Sequence, residues 1–136
     1  MSTEKTIFGK IIDGEIPCTK IYEDSETLAF LDVNPSHVGH TLVVPKKSYK
    51  NIFDLPDNEM ANLMRVVKKI ATAIKTGLSC DGVNVAMNNG EAAGQIVPHA
   101  HIHIIPRKTG DRGLPNRVSY KNNEAKEVAN KIISAL

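Results

Sequence analysis

The stretch Pro98-His99-Ala100-His101-Ile102-His103-Ile104-Ile105 decides how this chain is read. Side chains of a strand alternate between its two faces. As a strand, the segment sets His99, His101 and His103 on one side and Ala100, Ile102 and Ile104 on the other. A helix would scatter both sets. The alternation therefore predicts a strand over 99–105, aliphatic towards a core, with a row of imidazoles on its other face.

Three chemistries use such a row. A metal site is the first. Neighbouring histidines two apart have Cβ atoms roughly 6–7 Å apart and the outer pair roughly 13 Å, from the strand rise. A metal–nitrogen bond is about 2 Å, so a metal would take two of the three and outside ligands. The second is a plain solvent-facing sheet surface. The chain has 5 histidines, and 3 of them in alternating register make chance an unattractive source. The third is nucleophilic attack on phosphorus. Neutral imidazole, with an ordinary pKa near 6.5, is a free base at neutral pH and forms a phosphoramidate that water later splits. Partly protonated neighbours could donate hydrogen bonds to phosphate oxygens. The row favours the third chemistry, which requires no metal.

Just upstream, residues 83–88 alternate as a strand, and Asn89-Gly90-Glu91-Ala92-Ala93-Gly94 follows as a loop. Gly90 and Gly94 allow a tight turn whose N–H groups could approach an anion. Asn88 and Gln95 offer neutral donors beside it. Downstream of Pro106, residues 107–113 read as exposed loop, and 122–135 as a weakly amphipathic terminal helix. Towards the N-terminus, 19–23, 26–32 and 40–44 read as three short strands of an antiparallel meander. Between them and the histidines, Met60, Leu63, Met64, Val67, Ile70, Ala71 and Ile74 recur at helical steps. This predicts a helix from Asp57, as N-cap, to Thr76, stopped by Gly77. Strands around one long helix imply an α+β domain with a mostly antiparallel sheet.

The totals agree with one globular domain over 1–136. The chain is 41% hydrophobic and 24% charged. Its 17 basic and 15 acidic residues leave +2, too little for a broad nucleic-acid-binding field. It has no Trp and few aromatics for stacking bases. Cys18 and Cys80 form no CxxC pair, and Gly9 and Lys10 interrupt the N-terminal apolar stretch. The expectation is a cytoplasmic protein with reduced thiols, neither secreted nor membrane-spanning.

Residues 94–105 resemble the histidine-triad (HIT) motif, His-φ-His-φ-His-φ-φ. Thr6–Ile12 resembles the N-terminal segment of its Hint branch, the histidine-triad nucleotide-binding proteins. Glu15-Ile16-Pro17, Leu28–Asp32 and His40–Lys47 match in order, so the likeness spans about 6–107 and leaves a tail, 108–136, outside it. The resemblance implies a HIT-like α+β fold: a five-stranded antiparallel sheet, one long helix, a short N-terminal helix, and a homodimer. It implies hydrolysis of purine nucleoside phosphoramidates, derivatives of AMP or GMP, through a nucleotidyl-histidine and without a cofactor. Dinucleoside polyphosphate hydrolysis and a purine-nucleotide-binding regulator with little catalysis are the alternatives.

By the same likeness His101 is the nucleophile and His103 bonds the α-phosphate. His99 orients His101 through its backbone carbonyl, and His40 belongs to their network. Asp32 matches the ribose-binding acid. Ile7, Phe8, Ile11, Phe30, Val33 and Leu42 match an apolar purine clamp. Asn88, Gly94, Gln95 and Val97 match the phosphate and leaving-group site. Some relatives carry a zinc site built on Cys-x-x-Cys and a histidine; here Thr6, Gly9 and Ser48 stand there, so no metal is expected. Ile96 replaces a serine or threonine common in the Hint branch, removing one hydroxyl donor.

Overall fold

The computed structural model describes residues 5–113 and 118–136. Its sheet has five strands: β1 (Lys20–Glu23), β2 (Thr27–Leu31), β3 (Thr41–Pro45), β4 (Gly82–Ala86) and β5 (Ile102–Arg107). They lie in the order β1-β2-β3-β5-β4, with every neighbouring pair antiparallel. Three helices accompany them: α1 (Ile7–Ile12), α2 (Asp57–Gly77) and α3 (Glu124–Ile133). The expected α+β architecture, with one long and one short N-terminal helix, is present. No described helix is long and apolar enough to cross a membrane.

β2 and β3 are buried along their whole length because both faces of the sheet centre are covered. Ala29, Leu31, Val43, Ile102 and Ile104 pack under α2 and α3. Leu28, Phe30, Leu42 and Val44 form a second, smaller core with Phe8 of α1. α1 starts at Thr6, whose hydroxyl accepts the Gly9 N–H at 3.1 Å. The small core thus fastens the N-terminal helix to the face that carries the histidines.

The histidine strand is shorter than expected at one end and longer at the other. β5 starts at Ile102 and runs through Pro106 to Arg107, so residues 99–101 lead into the strand without belonging to it. The β3–β5 register pairs Val43 with Ile102. Two further steps would set Ala100 opposite Pro45, which has no N–H to donate. The Ala100 N–H instead reaches the Tyr49 carbonyl at 2.7 Å. Alternation survives this departure: Ala100, Ile102 and Ile104 are all buried in the α2-side core.

α2 covers that core with Leu63, Val66, Val67, Ile70, Ala73 and Ile74. Its buried stripe is rotated from the expected one, leaving Met64 exposed and taking in Val66 and Ala73. Pro56, not Asp57, is the N-cap. Gly77 lies inside the last turn and Leu78 is the C-cap. A Cβ on Gly77 would sit 2.4 Å from the Lys131 carbonyl oxygen, so this glycine lets α3 approach and does not stop the helix. Val128, Ala129 and Ile132 of α3 then reach the main core.

Candidate active site

β5 places His103 between Leu42 of β3 and Ala86 of β4. His40 immediately precedes β3, and Asp32 immediately follows β2. The Asp32 N–H donates to the His40 carbonyl at 2.9 Å, closing the loop 33–39 between them. The rings of His40 and His103 have centroids 5.1 Å apart, and those of His101 and His103 5.0 Å. Phe8 meets His101 edge-on at 4.9 Å and His99 at 6.3 Å. His40, His99, His101 and His103 thus form one aromatic group with Phe8 at its side.

Hydrogen-bond partners fix which nitrogen of each ring carries the proton. The Ser36 N–H donates to His40 Nδ1 at 3.0 Å, so His40 carries its proton on Nε2. His40 Nε2 lies 2.9 Å from His103 Nδ1 and donates to it. That leaves the His103 proton on Nε2, available to a phosphate oxygen. His101 Nδ1 donates to the His99 carbonyl at 2.7 Å, leaving the Nε2 lone pair without a proton. His99 Nε2 donates to the Pro45 carbonyl at 2.8 Å. One ring therefore presents a bare ring nitrogen and its neighbour a ring N–H.

Burial holds all four rings below the ordinary histidine pKa. For His103 it acts with the neighbouring His101 and His40, against Asp32, and the pKa falls to about 4. Burial lowers His101, opposed by the bond to the His99 carbonyl and by Asp32. It lowers His40 against Asp32, with Arg107 adding to the lowering. It lowers His99 as well, opposed by the Pro45 carbonyl and assisted by His101. This corrects the expectation of partly protonated neighbours: at neutral pH His103 donates as a neutral imidazole.

A stability consequence follows. The unfolded chain binds protons on these histidines below about pH 6.5, and the folded chain resists binding them until lower pH. Stability is complete above the unfolded value and is lost as pH falls from about 6.5 through about 4, where His103 titrates. The melting temperature is expected to drop across that window, measured by circular dichroism. A flat profile across it would contradict the neutral buried rings.

Asp32 is a turn residue that also borders the histidine group. Oδ1 accepts the Asn34 N–H at 2.9 Å, and Oδ2 lies 3.5 Å from His40 Nε2. Asp32, His40 and His103 each offer an atom within 4.8 Å of the others, the spacing of a cation site. The direct His40–His103 bond, however, already occupies the lone pair of His103 Nδ1.

Phe8, Phe30 and Leu42 are buried together, with Ile11 and Val97 packed against them. Ile7 is half exposed and Val33 is 83% exposed, so neither belongs to that cluster. Asn88 follows β4, and its Nδ2 lies 3.9 Å from where a Gly94 Cβ would stand. Gly94 takes a left-handed φ of 92° at the end of the turn Glu91–Ala93.

Gln95 departs from the expectation of a spare donor. Its Nε2 donates to the carbonyls of Lys50 at 2.6 Å and Val97 at 3.0 Å. Its Oε1 accepts the Gly90 N–H at 2.8 Å and Asn51 Nδ2 at 3.4 Å. The amide is fully used in holding the loop. The N–H groups of 93, 94 and 95 likewise close on carbonyls of the same turn, so the turn does not present them to an anion. A cavity of about 550 Å³ borders this loop, lined by Lys50, Asn51, Gly90, Gly94, Ile96 and Pro98 among others, and none of the imidazoles lines it. Ile96 is 91% exposed there.

His99 Nδ1 is the one fully buried side-chain nitrogen or oxygen without a hydrogen-bond partner among the described residues. His99 borders a second cavity of about 200 Å³, together with Lys5, Thr6, Asp13, Lys46 and Ser48. Zinc prefers thiolate and imidazole ligands. This lining has no thiolate and two ammonium groups, so it does not fit zinc.

Of the partners that set the tautomers, the likeness pointed to the His99 carbonyl alone. The Ser36 N–H and the Pro45 carbonyl are backbone groups, and no residue type marks them.

The HIT domain family matches residues 13–110. An uncharacterized HIT-like protein of Methanocaldococcus jannaschii is 49% identical over 126 residues, covering 93% of this chain and 97% of its own. The adenosine 5'-monophosphoramidase of Schizosaccharomyces pombe is 43% identical over 108 residues, covering 79% and 78%. A crystal structure of a HIT-like protein involved in cell-cycle regulation from Bartonella henselae superposes with a TM-score of 0.92 at 38% identity, covering 99% of this chain and 98% of that one. The chain belongs to the HIT family. Two of its relatives, from Schizosaccharomyces pombe and Candida albicans, are named adenosine 5'-monophosphoramidases.

Proposed function

We propose that this protein hydrolyses purine nucleoside phosphoramidates through a covalent nucleotidyl-His101. The observation that carries the reading is the 2.7 Å bond from His101 Nδ1 to the His99 carbonyl, which leaves Nε2 as a bare lone pair. In the first step Nε2 attacks the α-phosphorus, the P–Nε2 bond forms and the P–N bond to the amine breaks. The leaving amine takes a proton from solvent. Positive charge developing on the ring is held by the Nδ1–H···O=C bond. His103 Nε2–H bonds a phosphate oxygen as charge shifts there. In the second step water attacks phosphorus and gives up a proton to solvent, the P–Nε2 bond breaks with its electron pair returning to a neutral His101, and the mononucleotide leaves.

Asp32 has unused lone pairs for the ribose hydroxyls. The buried Phe8–Phe30–Leu42 cluster, with Ile11 and Val97 packed against it, backs an apolar bed for the purine with few polar contacts. Such a bed discriminates weakly between bases. Adenosine and guanosine phosphoramidates are therefore expected to be turned over within about tenfold of each other. Diadenosine polyphosphates should be slower. Steady-state assays on the three substrates decide the reading: a preference for the polyphosphate would move the protein to dinucleoside hydrolysis, and tight AMP binding without any turnover would make it a nucleotide-binding regulator.

A homodimer belongs to the same reading. β4 ends the sheet, and Asn84, Val85 and Ala86 on it are exposed. An open edge strand with apolar exposure is a ready surface for a second copy. The thiols of Cys18 and Cys80 are both free, in keeping with a reducing cytoplasm.

A further inference from the structure

The C-terminal segment lies beyond residues 13–110 that the HIT domain matches, yet it touches the loop that carries His40. The Val118 N–H donates to the Pro35 carbonyl at 3.3 Å. The Gly39 N–H donates to the Tyr120 hydroxyl at 2.9 Å, a contact 81 residues apart in sequence. The other side of Gly39 is fixed too, its carbonyl accepting the Thr41 hydroxyl at 2.8 Å. Gly39 has φ +92°, and a Cβ there would lie 2.3 Å from Leu78 Cδ1. Gly39 is thus wedged against the body of the protein and tied at its own N–H to a tyrosine from the tail, while the His40 N–H closes on the His37 carbonyl at 3.0 Å.

His40 stands next in the chain, and its ring passes the constraint on. Ser36 N–H holds its Nδ1, and its Nε2 donates to His103 Nδ1. We propose that Tyr120 is a positioning residue for the histidine group: its hydroxyl holds the Gly39 peptide so that His40 Nε2–H stays on His103 Nδ1, and His103 keeps its Nε2–H for phosphate. The catalytic benefit rests on the proposed hydrolysis; the effect on the rings does not.

The test is Tyr120→Phe, which removes one oxygen and keeps the ring. Nitrogen-15 NMR of the histidines in the free protein is the deciding measurement, because it needs no substrate. The groups facing these rings are His101, His40 and Asp32 at His103, and His103, Asp32 and Arg107 at His40. Tyr120→Phe leaves all of them in place. In the natural protein both rings should carry their protons on Nε2 and titrate below the ordinary range. In Tyr120→Phe the Gly39 N–H loses its acceptor and the loop loosens. The His103 signals should then show mixed tautomers and a titration displaced upwards towards about 6.5. Unchanged tautomers and titration in a folded Tyr120→Phe would overturn the proposal.

Turnover adds a second reading. kcat should fall about tenfold with KM little changed, the cost of a misplaced donor. In a His40→Ala background, where the link is already cut, Tyr120→Phe should cost nothing further. The same loss in both backgrounds would overturn action through His40. If the natural protein has no phosphoramidase activity, the proposed function fails, and the NMR result alone decides the role of Tyr120.

Discussion

His101→Gly is expected to lower turnover by on the order of 10⁴-fold or more while leaving mononucleotide binding within a few-fold of the natural protein. The substitution removes the lone pair and nothing that holds the nucleotide. The Phe8–Phe30–Leu42 cluster stands without the ring, as does the bond from His40 to His103. Asp32 keeps its turn bond to Asn34. The variant also leaves a gap beside Phe8, which packs on the His101 ring at 4.9 Å. Imidazole added to the solution has room to enter that gap and restore part of the rate. Single-turnover kinetics and AMP titration check both halves of the expectation. A variant that keeps a substantial fraction of the natural rate would remove His101 from the nucleophile's role.

Gly77→Ala should be the most damaging small substitution for the fold. The new methyl would stand 2.4 Å from the Lys131 carbonyl oxygen and 3.2 Å from Ile132 Cα, both backbone atoms that no rotamer change can move. α3 must shift away from α2, taking Val128, Ala129 and Ile132 out of the main core. Forced overpacking of this kind costs about 1–3 kcal/mol, and the partial exposure of Val128 and Ile132 adds to it. The sum corresponds to a fall of about 10 °C or more in melting temperature. Thermal denaturation measures it. Because α3 closes the segment that carries Tyr120, the same variant should also loosen the loop before His40. An unchanged melting temperature would show that α3 is not seated where this account puts it.

Much of this architecture is legible because periodicity reports burial. The two-residue alternation of His99, His101 and His103 against Ala100, Ile102 and Ile104 identifies the face of the site whether or not the segment pairs as a strand. What the alternation could not reveal is that pairing stops at Ile102, since the cause, Pro45, lies on β3 and far away in sequence. The helical recurrence over 60–74 locates α2 but rotates its buried stripe, because Met64 and Val66 are both apolar and only the packed sheet chooses between them. Gly77 reads from the sequence as a helix stop. The backbone of α3, distant in sequence, makes it a close approach instead.

The site was legible in its residue types and less so in their duties. Gln95 could hold a loop or donate to an anion with the same amide, and the carbonyls of Lys50 and Val97 decide which. The protonation of the rings was the furthest from view. It depends on burial and on backbone partners, of which the family likeness indicated the His99 carbonyl but nothing indicated the Ser36 N–H or the Pro45 carbonyl. Tyr120 lies in a stretch with no recognisable pattern, and only the tertiary contact to Gly39 brings it into the account.

The most direct test is to mix the protein with adenosine 5'-phosphoramidate, quench within one turnover, and map the digest by mass spectrometry under conditions that preserve phosphorus–nitrogen bonds. A nucleotidyl group on the peptide containing His101, absent from His101→Gly and lost on further incubation at the rate of AMP release, is the predicted result. Turnover of one phosphorus epimer of the phosphorothioate analogue in oxygen-18 water that proceeds by a single inversion, with no adduct at any time point, would contradict it.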